Sequence, residues 1–85
     1  MKSFSYIIKD KAGLHARPAG KLSLECKGFE SSIKVKCESR EADGKRLLSL
    51  MSLGAKNGQK LEFTIEGKDE NQAEEKIKAF LEENI

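Results

Sequence analysis

The segment GLHARPAG, Gly13 to Gly20, holds the only histidine and the only proline of the chain, with an arginine between them. A neutral imidazole is a nucleophile, and histidine is one of the side chains that carry transferred groups covalently. Pro18 fits a helix only in its first turn, where a missing N–H does no harm, so the motif reads as a loop entering a helix near Ala16. The residue at that helix start is His15, not the Ser, Thr, Asp or Asn that would cap it. The first N–H groups, those of Ala16 and Arg17, are therefore open to an outside acceptor. With the helix dipole they form an anion site. The Arg17 guanidinium adds a fork suited to phosphate oxygens. Positive charge around His15 should disfavour the imidazolium and keep the nucleophile available. The chemistry these residues suggest is acceptance of a phosphoryl group on His15, with Arg17 as the charge clamp. The bland readings are a structural or surface histidine and an ordinary exposed arginine. The junction position argues against a packed-core imidazole. With no second histidine, no metal-ligand cluster and no convincing carboxylate pair, neither hydrolysis nor metal chemistry is indicated, and no cofactor is expected.

The elements that must hold this motif follow from hydrophobic period. Phe4, Tyr6 and Ile8 alternate in a strand over residues 3–8, with Ile7 breaking the polarity of its other face. After the loop KDKAG, a helix is expected from Ala16 to Lys27, with Leu22 and Cys26 on one face and Gly28 as its stop. Ile33, Val35 and Cys37 alternate with polar residues in a second strand, and a short polar third strand lies within CESREADGK. Asp43-Gly44 marks a turn before a short helical run, RLLSLMSLG, closed by Gly54. Leu61, Phe63 and Ile65 give the clearest strand. The last helix opens at Asp69 with Gln72 three residues on, a capping-box pair, and buries Ala73, Ile77, Phe80, Leu81 and Ile85. The order β-α-β-β-α-β-α with amphipathic strands predicts an α+β open-faced sandwich: a four-stranded antiparallel sheet covered on one face by three helices.

With 85 residues the chain is expected to be one domain, residues 1–85. The 16 basic and 14 acidic residues are too balanced for a dedicated nucleic-acid binder. No apolar run approaches the ~20 residues of a membrane span, and MKSFSYIIKD lacks the features of a signal peptide. Cys26 and Cys37 have no metal or redox spacing and read as buried thiols of a reducing cytoplasm, a disulfide between them being a minor alternative. In RLLSLMSLG, five of seven consecutive residues are apolar, Leu47, Leu48, Leu50, Met51 and Leu53. A short helix cannot bury them all, so part of the run is expected to form an exposed docking patch. The plainer reading is a fully buried helix.

Together GLHARPAG, the downstream LMSLG and the length resemble the HPr family, the histidine-containing phosphocarriers of the bacterial phosphoenolpyruvate-dependent sugar phosphotransferase system. The resemblance covers essentially the whole chain. It implies that His15 accepts a phosphoryl group on Nδ1 from phospho-enzyme I and passes it to a histidine of an enzyme IIA protein. Arg17 would balance transition-state charge, and the Ala16 and Arg17 N–H groups would hold phosphate oxygens. It further implies a partner surface including Gly20, Lys27, Arg46, Leu47, Leu48 and Met51, a cytoplasmic monomer with no membrane insertion, and a transiently phosphorylated component rather than a stand-alone enzyme. In some relatives a regulatory kinase phosphorylates a serine at the start of the short helix. Arg46 occupies that position here, so no regulatory serine is expected, and Ser49 and Ser52 read as ordinary helix residues. Ala12 also stands where relatives often have a small polar residue. Two other readings stay open: an HPr-like regulatory or nitrogen-branch phosphocarrier with other acceptors, and a non-catalytic protein-binding module in which His15 is incidental. An RNA-binding α+β domain would need stacking aromatics on the open sheet face, whereas Phe4, Tyr6 and Phe63 share the core-face alternation.

Overall fold

Alternation in four segments dictates the layer that everything else rests on. The computed structural model describes residues 1–85 and places strands at Lys2–Ile7 (β1), Ser32–Cys37 (β2), Arg40–Asp43 (β3) and Lys60–Glu66 (β4). Helices span Ala16–Lys27 (α1), Leu47–Met51 (α2) and Glu70–Asn84 (α3). The strands form one antiparallel sheet in the order β1-β4-β2-β3. The expected element order and architecture are observed. β2 and β4 lie at the centre and bury every second residue, Ile33, Val35, Cys37 and Leu61, Phe63, Ile65. At the register Val35↔Phe63 and Phe4↔Phe63 the core face runs across three strands. The Phe4 and Phe63 rings stack with centroids 4.9 Å apart, a geometry that adds to area burial. The opposite face carries Ser3, Ser5, Lys34, Lys36, Glu41, Glu62 and Thr64, a solvated surface.

The helices cover the apolar face. From α1 come Ala19, Leu22 and Cys26, from α3 Ala73, Ile77 and Leu81, and from α2 Leu50, all fully buried. Each large aliphatic side chain removed from water in this way contributes about 1.5–3 kcal/mol. Ile85 is buried, and Phe80 and Tyr6 pack at the margin of the core. Gly28 ends α1 as expected, although in a right-handed conformation, with its N–H donating to Glu25 O at 3.2 Å. Both cysteines are free and buried. Burial pushes the Cys26 thiol up to about 12, and desolvation also raises that of Cys37.

One expectation is corrected. Asp69 is the residue before α3, but it makes no capping bond to that helix and no box with Gln72. Its carboxylate reaches instead to the α1–β2 connection and accepts from Glu30 N (2.9 Å), Ser31 N (3.0 Å) and Ser31 Oγ (2.5 Å). Three donors from one loop win over a local cap, because Ser31 is buried and its N–H and hydroxyl would otherwise lack a partner. Glu70 takes the local role: its Oε1 accepts from Gly67 N, and its Oε2 meets the N-terminal ammonium at 2.7 Å.

Candidate functional site

The β1–α1 loop, residues 8–15, must bring His15 to the helix start. Gly13 makes this possible. Its φ is +72°, and a Cβ there would stand 2.5 Å from Ala55 O, so only glycine allows the loop to lie against residues 55–56. The next residue locks the approach, Leu14 N donating to Ala55 O at 2.9 Å. Leu14 is buried, and His15 follows it out to solvent.

His15 is the N-cap of α1, in extended conformation, with no side-chain capping bond. The imidazole is thus not consumed by the helix. Ala19 N closes the first turn on His15 O at 2.9 Å. Pro18 has no N–H, which leaves Ala16 and Arg17 as the donors at the helix start. His15 and Arg17 line one cleft of ≈ 250 Å³ together with Asp10, Pro18, Lys21, Glu83 and Asn84. The structure therefore brings together the histidine, the guanidinium and the helix N-terminus that the sequence singles out. It also adds acidic groups to the positive charge expected around His15. Asp10 Oδ2 lies 3.8 Å from His15 Nε2, and Glu83 lines the same cleft. Asp10 comes from the loop read only as KDKAG, and Glu83 and Asn84 from the far end of α3. Asp10 leaves one local trace, an Asx turn in which its Oδ1 accepts from Ala12 N at 2.8 Å. Ala12, where relatives often have a small polar residue, is exposed and contributes that N–H rather than a side chain.

The leucine run divides as one face of a helix should. Leu50 and Leu53 are buried, while Leu47, Leu48 and Met51 are 38%, 80% and 40% exposed. Leu47 faces Gly20 of α1: a Cβ on Gly20 would lie 4.0 Å from Leu47 Cδ1. Leu24 of α1, 69% exposed, is a further apolar residue that the sequence reading passed over. Its one signal was position, four residues after Gly20. Lys27, Lys45, Arg46, Leu47, Leu48, Ser49 and Ser52 line a single depression. Arg46 is exposed at the N-cap of α2. Ser49 Oγ accepts from Asp43 N at 2.9 Å, and Ser52 Oγ donates to Ser49 O at 2.6 Å, so both hydroxyls serve local structure.

The model of the PTS HPr component phosphorylation site matches residues 2–83. The chain belongs to the HPr family. It is 41% identical over 85 residues to the phosphocarrier protein HPr of Mycoplasma genitalium, covering 99% of this chain and 97% of that protein. A crystal structure of HPr-C-His from Thermoanaerobacter tengcongensis superposes with a TM-score of 0.93 at 33% identity, covering 99% of this chain and 94% of that one. The HPr-like protein Crh of Bacillus subtilis is 31% identical over 78 residues, 92% of each chain. The family is that of the phosphocarriers of the phosphotransferase system, and the chain shares its sheet, its three helices and their order. No helix is long and apolar enough to cross a membrane.

Proposed function

We propose that this chain accepts a phosphoryl group from phospho-enzyme I on His15 Nδ1 and delivers it to a histidine of an enzyme IIA protein, in phosphoenolpyruvate-dependent sugar uptake. The observation that carries the reading is the placement of His15: an uncommitted imidazole at the start of α1, in one cleft with Arg17. In the accepting step the donor N–P bond breaks as the Nδ1–P bond forms, and the electron pair stays on the donor nitrogen. In the delivering step the same exchange runs onto the next histidine. Such a transfer needs positioning and charge stabilisation more than covalent chemistry. Arg17 and the Ala16 and Arg17 N–H groups hold the phosphoryl oxygens. Asp10 and Glu83 keep the cleft from being strongly cationic, which suits a carrier that must release what it takes. Gly20, Lys27, Arg46, Leu47, Leu48 and Met51 form the partner surface, apolar at its centre and cationic at its rim. The carrier acts as a cytoplasmic monomer.

A regulatory role of the Crh kind is the second reading, favoured by the likeness to that protein. Intact mass after incubation with phosphoenolpyruvate, magnesium and enzyme I separates the two. One acid-labile phosphoryl group on the wild type, and none on His15→Ala, supports the carrier. None on either, with an enzyme I proven on another carrier, sinks it.

A further inference from the structure

The geometry points to Asp10 as a positioning residue that selects the tautomer of His15, an inference that rests on His15 being the phosphoryl acceptor. Asp10 is fixed before it meets the imidazole. Its N–H donates to Ile85 O at 2.7 Å, its carbonyl accepts from Gly13 N at 3.0 Å, and its Oδ1 accepts from Ala12 N at 2.8 Å. Only Oδ2 is left over, and it lies 3.8 Å from His15 Nε2. That is longer than a hydrogen bond, a common state for such contacts before a partner docks.

A neutral imidazole carries its proton on one nitrogen and a lone pair on the other. A carboxylate accepts only, so beside Nε2 it favours the Nε2–H form and leaves the lone pair on Nδ1. Among the other charged groups at the cleft, Arg17 and Lys21 of α1 are donors and offer no acceptor for a ring N–H, and Glu83 of α3 makes no ion pair with the ring. When the Nδ1–P bond forms, the ring keeps its Nε2 proton and takes up positive charge, which Asp10 faces. When the phosphoryl group leaves, the pair returns to Nδ1. No proton moves in either direction, so one arrangement serves acceptance and delivery alike.

Two substitutions isolate the effect. Asp10→Asn keeps the bond from Ala12 N through its amide oxygen but turns an NH2 donor toward Nε2, which favours the opposite, Nδ1–H tautomer. Asp10→Ala loses both contacts and imposes neither tautomer. The tautomer of free His15 is read by long-range proton–nitrogen NMR, and the rate of phosphorylation by enzyme I at fixed pH is measured beside it. The wild type is expected in the Nε2–H form. Asp10→Asn is expected to shift toward Nδ1–H and to be phosphorylated roughly ten-fold or more slowly, with Asp10→Ala between the two. A loop-only role predicts the reverse ranking, Ala slower than Asn, and that result or an unchanged tautomer in all three overturns the inference. If the wild type itself takes no phosphate, the carrier reading fails, and the tautomer measurement still decides what Asp10 does.

Discussion

The cleft at the start of α1 and the patch between its end and α2 differ in kind. The cleft is lined by charged and polar groups, with Pro18 its sole exception. The patch presents Leu47, Leu48 and Met51 with Lys27, Lys45 and Arg46 around them. No residue lines both. α1, 12 residues long and so about 18 Å, contributes to both, with Arg17, Pro18 and Lys21 lining the cleft and Lys27 lining the patch. The docking run itself lies on α2, where Leu47 faces Gly20 of α1. The lesson is a division of labour. On the proposed function, transfer requires fixed charges around one nitrogen, and recognition requires apolar surface that loses water on contact. One helix can serve both because different residues of it line each.

That contrast predicts opposite kinetic signatures. Arg17→Ala is expected to slow phosphoryl transfer at saturating carrier by about 100-fold while changing affinity for enzyme I little. Leu48→Ala is expected to weaken that affinity by about 10-fold and leave the saturated rate nearly unchanged. Steady-state kinetics with enzyme I resolves the two, and a shared loss of both parameters in either variant would erase the distinction.

A second test strikes the scaffold under both regions. Hydrogen bonds from the Ser31 hydroxyl, then from Glu30 N, hold the Asp69 carboxyl below its ordinary value of 3.8, and the N-terminal ammonium does the same for Glu70 from 4.5. A carboxyl lowered on folding binds fewer protons in the native state than in the unfolded one. Its stabilisation is therefore complete above those ordinary values and is lost as pH falls through the lower, native ones. Asp69→Ala should lower Tm at neutral pH by roughly 5–10 °C and flatten the acid limb of the stability profile, as followed by circular dichroism. An acid limb as steep as that of the wild type would assign the transition to other carboxyls.

The smallest effect belongs to the patch rim. Arg46→Ser is expected to reduce the association rate with enzyme I by about two- to three-fold at low salt, and the difference should vanish as ionic strength rises. Stopped-flow measurements across a salt series would show it, and a salt-independent difference would mean that Arg46 acts through direct contact.

Much of this was legible in the residues because it was written locally. Alternation at Ile33, Val35 and Cys37 and at Leu61, Phe63 and Ile65 gave the two central strands, and Pro18 fixed where α1 begins. His15 announced itself by standing where a cap should be. The rest depends on neighbours that only the fold supplies. Asp69 looks like a cap until Glu30 and Ser31 arrive from 38 or 39 positions away. Asp10 looks like one polar residue of a turn until α1 turns His15 toward it. Leu24 falls on a face whose exposure depends on where α2 packs. Period and propensity report a residue's own segment, and these roles are set between segments.

The pairing of β1 with β4, Lys2 with Ile65 and Ile7 with Lys60, has a consequence for how the molecule comes apart. The strand that leads into the histidine loop is an edge strand joined to the sheet by some of the longest loop closures in the chain, the kind of contact that forms slowly. Loosening that edge would release Gly13 from Ala55 and scatter the cleft, yet leave α1 against α2. On the proposed function, a chain frayed in this way would still offer its leucines to a partner while holding no working imidazole, a decoy that occupies the donor and carries nothing away.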